Sequence, residues 1–369
     1  MEKERLKVLV WGYTALNVGD DYFFDILFRR YPEVEFYFFP PSCLLTKYQK
    51  LLGSYKNVIL YQDNPEYLRI RSEIPDESVA INLFPIVCAC AKEMDAFINI
   101  GGSIFIEAPN FKNDDRYILK DIMKDKPCFI VGCNFGPGSP QYRDYLFQWF
   151  QGFEDVCFRD QKSYQLFREN KNCRVADDIV LITKKNKKKH RSNRIVGISV
   201  IDLSIRKDLA AFEEDYIHYH IEKVRKYIEI GKRIIFFSFC SQDGDINMIR
   251  LIINRLSDDE RRKVKVCEYQ GDLNKFLRIY KKCGLIIGSR LHSILIAITN
   301  NQDFIPISYS QKLDSLLKQM DSRIEILKID GKMGQNWQQE KIYNMSECEF
   351  NSELQFKKID QYVEGALKR

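Results

Sequence analysis

Cys283-Gly-Leu-Ile-Ile-Gly-Ser-Arg-Leu-His-Ser-Ile-Leu-Ile-Ala-Ile-Thr299 changes its periodicity partway along. It begins as a short apolar strand, breaks at Gly288-Ser289, and resumes with Leu291, Ile294, Leu295 and Ile298 at the i, i+3, i+4, i+7 spacing of a helix. One strand, one tight turn and one helix make a βα unit. The same rhythm recurs on both sides. Upstream in the second half, strands are predicted at 195–200, 233–239 and 264–267, and downstream at 304–307. In the first half they are predicted at 8–11, 34–39, 58–61, 96–100 and 128–132, with helical patterns between them. Several of these runs are apolar on consecutive residues, as strands covered on both faces must be. The pattern predicts an α/β protein of two Rossmann-like, doubly wound domains facing a cleft.

The chain has 369 residues, of which 45% are hydrophobic and 29% charged, enough for two domain cores. Residues 1–183 read as the first domain and 195–345 as the second. Residues 184–194, basic and without hydrophobic periodicity, read as the linker between them. Residues 346–369 end in a helix whose Phe356, Ile359, Val363 and Leu367 form one apolar stripe, and it should pack back on a domain. The net charge of +6 is mild and concentrates only in that basic run, which argues against a nucleic-acid partner. The run reads as a solvated loop, with weak attraction to an anionic membrane surface as the alternative. Eleven scattered cysteines without a C-x-x-C pair fit neither a disulfide framework nor a zinc ribbon and imply a reducing cytosol. No secretory signal or membrane-spanning run is evident; the longest apolar stretch, 79–91, contains Asn82 and Pro85. A cytoplasmic protein, at most touching the inner face of the membrane, is therefore expected.

In open α/β sheets ligands bind at the carboxyl ends of the strands. Three loops of the first half stand there: Asn17-Val-Gly-Asp20, Gly101-Gly102-Ser103 and Asn134-Phe-Gly136-Pro137. In the second half Arg290 and His292 flank the start of a helix, where free backbone N–H groups and the helix dipole favour an anion, and Ser289 is a plausible N-cap. The bland alternative is a surface Arg and a half-buried His. Of the other histidines, His190 lies in the basic run, and His218 and His220 on a polar helix. Asn17-Val-Gly-Asp20 admits a turn in which Gly19 supplies an unusual backbone angle before a helix capped by Asp20, or the wall of an acceptor site. Asp177-Asp178 reads as a turn and helix cap rather than a pair of metal ligands.

Taken in order, Gly12-Tyr13, Asn17-Val-Gly-Asp20, Ile100-Gly-Gly-Ser103, Arg159-Asp160 with Ser163, Asp177, and Ser289-Arg-Leu-His292 leading to Pro306, Tyr309 and Lys312 resemble the polysaccharide pyruvyltransferase family over roughly residues 7–320. The resemblance implies an architecture similar to the glycosyltransferase B fold. It also implies transfer of the enolpyruvyl unit of phosphoenolpyruvate to a sugar diol as a cyclic ketal, with release of phosphate. The acceptor would belong to a bacterial-type surface polysaccharide or its lipid-linked oligosaccharide precursor. Carried over by position, His292 and Asp20 would be catalytic, as acid and base. Arg290, Leu291, Arg159, Lys312 and Arg206 would hold the donor, and Asn17, Gly102 and Ser103 the acceptor. No metal or cofactor beyond the donor substrate is implied. The chain departs from the family pattern at Asp21, where relatives often carry Glu, at Ser103, where they carry Gly, and at Ile201-Asp202, where many carry Arg.

The chemistry asks for the same residue types. A phosphate and a carboxylate need several cations, and Arg offers bidentate pairing. Protonation of the donor's methylene carbon and attack by a sugar hydroxyl need one acid and one base near neutrality. A cationic nest should lower the pKa of His292, and a dianionic donor should raise it again. Two competing readings share the architecture. A nucleotide-sugar glycosyltransferase often carries two Glu with seven residues between them in its second domain, a pair missing from 304–350. A noncatalytic carbohydrate-binding protein would use Arg290 and His292 only to tie a helix to its neighbour.

Overall fold

The computed structural model describes residues 5–53, 55–60, 84–184, 194–206, 208–330 and 340–368. It divides into two units: Met1–Thr14, Asp20–Ile179 and Asn351–Arg369 form the first, Ala15–Gly19 and Val180–Phe350 the second. Two features of this division differ from the sequence reading. Five residues of the expected first domain group with the second unit, and the break comes at Ile179/Val180, a few residues before the basic run. Most of that run, 185–193, lies outside the described residues.

The first unit is a seven-stranded parallel sheet: β1 (Lys7–Gly12), β2 (Glu35–Phe38), β3 (Val58–Leu60), β4 (Ala96–Ile100), β5 (Cys128–Cys133), β6 (Asp155–Phe158) and β7 (Cys173–Val175). Their spatial order is β3-β2-β1-β4-β5-β6-β7, so the winding reverses between β1 and β4. β4, β5 and β6 are buried along their whole length, in keeping with runs that do not alternate. β6 and β7 are too short, at four and three residues, to give a periodic signal of their own.

The second unit is a six-stranded parallel sheet: β8 (Ile195–Ser199), β9 (Arg233–Ser238), β10 (Val264–Glu268), β11 (Leu285–Gly288), β12 (Asp303–Ser308) and β13 (Leu327–Lys328). The order is β10-β9-β8-β11-β12-β13, with the reversal between β8 and β11. Helix Leu291–Thr299 is buried on every side from Ser293 onward, not along one stripe, while Leu291 itself is half-buried. Its sequence shows why: Ile296 and Ala297 are as apolar as the residues on the expected face.

The C-terminal segment completes the first unit. A short 3-10 turn, Ser352–Phe356, leads into helix Lys357–Leu367, and Phe356, Ile359 and Val363 are buried. Arg30 clamps Asp360 with two hydrogen bonds of 2.9 Å. Gln355, fully buried, accepts from the Gly132 N–H and donates to the carbonyls of Phe158 and Ala176, satisfying backbone that the sheet leaves over. Asp177 and Asn351 exchange backbone-to-side-chain hydrogen bonds at 2.7 and 2.8 Å. Asp177 therefore fastens this segment. Among the described residues no helix is long and apolar enough to cross a membrane.

Candidate active site

The reversal between β8 and β11 puts the carboxyl ends of neighbouring strands side by side, with Ser199 opposite Gly288. The Ser289 N–H donates to the Ser199 carbonyl at 2.9 Å, extending the ladder one residue past β11. That bond draws Ser289 into the sheet. Its side chain is wholly buried, with Oγ 2.6 Å from the Tyr216 hydroxyl, which also accepts from the Ile201 N–H. Ser289 is thus not the helix cap. The cap position falls to Arg290, whose backbone is extended and whose side chain makes no capping bond.

Arg290 is 7% exposed, so it is a buried residue and not the surface side chain that its place beside the helix stripe suggested. Its guanidinium is shared by two carboxylates that follow β9, Asp243 in the loop and Asp245 at the start of helix Asp245–Asn254. Nε lies 3.1 and 3.2 Å from the two oxygens of Asp245, Nη2 also bonds Asp245, and Nη1 lies 2.6 Å from Asp243. Burial works against this cation, but the fields of Asp245 and Tyr309 outweigh it and raise its pKa. Tyr309, one residue past β12, lies beneath the Arg206 guanidinium, 4.5 Å from ring centroid to Cζ. The Arg206 Nε is buried and makes no hydrogen bond. Lys312 is half-buried in the first turn of helix Gln311–Met320. Loops from β8, β9, β11 and β12 therefore converge on one charged cluster.

His292, half-buried in the first turn of its helix, meets Gly19 of the same unit. A Cβ on Gly19 would sit 1.7 Å from the His292 Nδ1, so only glycine leaves room for the ring. Gly19 is required for this close approach and not for an unusual backbone angle, because it already belongs to helix Val18–Arg30. The cap is Asn17, whose Oδ1 accepts from the Gly19 N–H at 3.0 Å; Asp20, expected there, is inside the first turn. Asn17 and Val18 are anchored in turn, by a bridge to Cys240 and a 3.1 Å bond to the Phe239 carbonyl.

In the first unit, Asp20 is 8% exposed and Asp21 fully buried, its Oδ1 accepting from the Tyr48 hydroxyl at 2.9 Å. Asp20 Oδ1 lies 4.0 Å from where a Cβ on Gly101 would stand. Arg159, read as an added positive charge for the donor, is 4% exposed. Nη1 pairs with the fully buried Asp178 at 3.0 Å, and Nε and Nη2 both reach the Asn134 Oδ1. The guanidinium lies against Gly102, where any Cβ would come within 2.6 Å of it, and the Gly102 carbonyl accepts from the Asn134 N–H. Gly102 thus has a packing reason to be glycine. Ser103 is exposed, with Oγ 3.3 Å from the Asn134 Oδ1. Asp160 caps helix Gln161–Phe167 through Ser163, whose Oγ accepts from the Phe135 N–H.

His220, placed on a polar helix by its neighbours in sequence, is fully buried between the edges of Tyr216 and Tyr219. Neither ring nitrogen has a hydrogen-bond partner, and burial lowers its pKa to about 3. Asp243, Asp245 and Tyr216 were not singled out from sequence, and Asn134 only as the start of a strand-end loop. The carboxyl-end rule applied to Asp243-Gly-Asp245 after β9 would have found the first two.

The family model for polysaccharide pyruvyl transferase matches residues 17–311. The amylovoran biosynthesis protein AmsJ of Erwinia amylovora is 22% identical over 251 residues, a match covering 62% of this chain. The chain spans 60% of the length of that relative. Among solved structures, UDP-GlcNAc 2-epimerase from Neisseria meningitidis is 9% identical with a TM-score of 0.55, covering 99% of this chain and 100% of its own. Anabaena HepE in complex with UDP-glucose is 14% identical with a TM-score of 0.53 and the same coverage. At these identities the two likenesses concern the fold alone.

Proposed function

The chain belongs to the polysaccharide pyruvyl transferase family, and from that premise we propose that it moves the pyruvyl unit of phosphoenolpyruvate onto a sugar diol as a cyclic ketal, releasing phosphate. The observation that carries the reading is the Arg290–His292 helix start at the β8/β11 reversal, where a buried guanidinium and an imidazole share one turn. Arg290, the backbone N–H of Leu291, Lys312 and Arg206 hold the donor's phosphate and carboxylate. Tyr309 supports Arg206 from below. His292 protonates the methylene carbon, C2 takes up positive charge, and a sugar hydroxyl attacks it. A second hydroxyl of the same sugar then displaces phosphate, which closes the ketal.

Asp20, the residue after Gly19, serves as base for the attacking hydroxyl, and Asn17 and Ser103 contact the acceptor. Arg159 is left out of the donor set because its counter-ion Asp178 is fully buried, whereas Asp243 on Arg290 is partly exposed. The acceptor is a sugar of a surface polysaccharide or of its lipid-linked precursor, handled at or near the inner face of the membrane. No metal or cofactor is required.

Thermal melting tests the donor assignment, because a ligand that prefers the native state raises the melting point. Phosphoenolpyruvate should raise it while UDP-glucose and UDP-GlcNAc leave it unchanged. Stabilisation by a nucleotide sugar alone would replace this reading with glycosyl transfer, and stabilisation by free sugars alone with noncatalytic carbohydrate binding.

A further inference from the structure

The two carboxylates on Arg290 differ in standing. Asp245 is fully buried, and the oxygen it turns away from Nη2 is fixed by the backbone N–H groups of Phe239 at 2.9 Å and Cys240 at 3.1 Å. It cannot leave without stranding those donors. Asp243 meets the guanidinium through Nη1, and its side chain is 29% exposed. Between them Gly244 takes a left-handed conformation with φ 78°, and a Cβ there would strike Asp202 at 2.4 Å. The loop thus presents one carboxylate from the interior and one from the solvent side of the same cation.

Charge counting gives this arrangement a consequence. One guanidinium against two carboxylates sums to −1, yet the cluster stands where the proposed donor's anionic groups must bind. A buried guanidinium with an empty face is costly, so some anion must cover Nη1 when no donor is bound.

We infer that Asp243 is an exchangeable counter-ion, occupying the anion position on Arg290 until a multiply charged oxyanion displaces it, while Asp245 is the positioning residue that keeps the guanidinium aimed during the exchange. This rests on the reading of Arg290 as the donor's anion-binding group. The carboxylate of Asp243 swings into water, Arg290 stays paired with Asp245, and the incoming oxyanion takes Nη1. Neutral and singly charged ligands gain too little to displace it, so the pair also selects for charge.

Calorimetric titration of the full-length chain with phosphoenolpyruvate, and separately with inorganic phosphate, tests this in the wild type, Asp243→Asn and Asp245→Asn. Asp243→Asn should bind both anions roughly tenfold more tightly, the scale of one charge-assisted contact no longer displaced. Asp245→Asn keeps an oxygen for the two backbone N–H groups but loses the charge that aims Arg290. It should bind both about tenfold more weakly, raising the donor KM more than it lowers kcat. Unchanged or weaker binding in Asp243→Asn would overturn the inference, as would equal tightening in both variants, which would make the carboxylates mere background charge. A wild type that binds phosphate but not phosphoenolpyruvate would sink the proposed function, while the phosphate comparison still decides the exchange. Asp243→Ser repeats the measurement if the Asn variant is not folded at the assay temperature.

Discussion

Each sheet carries a buried arginine just past the carboxyl end of a strand, and the two have opposite surroundings. Arg159, after β6, is enclosed by Asp178, Asn134 and Gly102, and its ion-pair partner has no exposed surface. Arg290, after β11, has one equally buried partner and a second that is partly open to water. The same residue type is thus sealed as a structural tie in the first unit and left with a replaceable partner in the second. Burial of the arginine does not separate the two. Exposure of its counter-ion does.

The largest expected effect concerns the group beside the replaceable pair. His292→Asn should keep donor binding and lower turnover by roughly 10² to 10⁴, the range for a lost general acid. A raised donor KM with turnover preserved would make His292 a phosphate ligand only. Next comes the sealed pair: Arg159→Ala strands the Asp178 carboxylate in the interior and should cost about 3 to 5 kcal/mol in urea unfolding, with donor affinity in the folded protein little changed. The comparison breaks if this variant unfolds normally but loses the donor. Arg290→Ala should lose about 2 to 3 kcal/mol of donor binding. It should also destabilise the fold, but less than Arg159→Ala, because Asp243 can turn to water while Asp245 keeps two backbone bonds. Equal unfolding losses in the two variants would remove the distinction.

Two smaller effects sharpen the picture. Gly19→Ala would drive a methyl into the His292 ring and should reduce turnover roughly 10- to 100-fold, the usual cost of displacing a reacting group by about 1 Å. Titration with phosphoenolpyruvate should show its affinity unchanged; if it falls in parallel, Gly19 supports the whole helix start. His220 is held neutral by burial, with a pKa of about 3 in the folded protein against 6.5 for an ordinary histidine. The unfolded chain therefore binds the extra proton between pH 6.5 and about 3. The stabilisation that neutral burial gives is complete above pH 6.5 and falls away as the pH drops through that window. His220→Phe should flatten this acid limb by up to about 1.4 kcal/mol per pH unit, seen in urea unfolding at pH 4 to 7. An acid limb as steep as the wild type's would assign it to other groups.

The architecture was legible because strands covered on both faces are apolar without alternation, as at Ala96–Ile100, and because Gly, Asn and Asp mark the strand ends. The helix start at Arg290 and His292 was legible for the same reason. Partnership was not. Nothing near Arg159 in the chain announces Asp178, nineteen residues on, or Asn134, twenty-five back. The pairing of Arg290 with Asp245 likewise spans forty-five residues. Gly19 looked like a turn residue because the ring it accommodates, His292, is 273 positions away by number and adjacent only after folding. His220 looked exposed because its helix is polar by composition, whereas its own face is turned inward with Tyr216, Ile217 and Val224.

The central claim is that a donor held at Arg290 gives up its pyruvyl unit to a sugar. The direct measurement is to incubate the purified chain with phosphoenolpyruvate and lipid-linked sugar acceptors, follow the acceptor mass, and quantify free phosphate. An acceptor heavier by one pyruvate less one water is expected, with one phosphate released per acceptor modified and both products formed roughly 10² to 10⁴ times more slowly by His292→Asn. Phosphate release without a change in acceptor mass, or modification by His292→Asn at the wild-type rate, would contradict the claim.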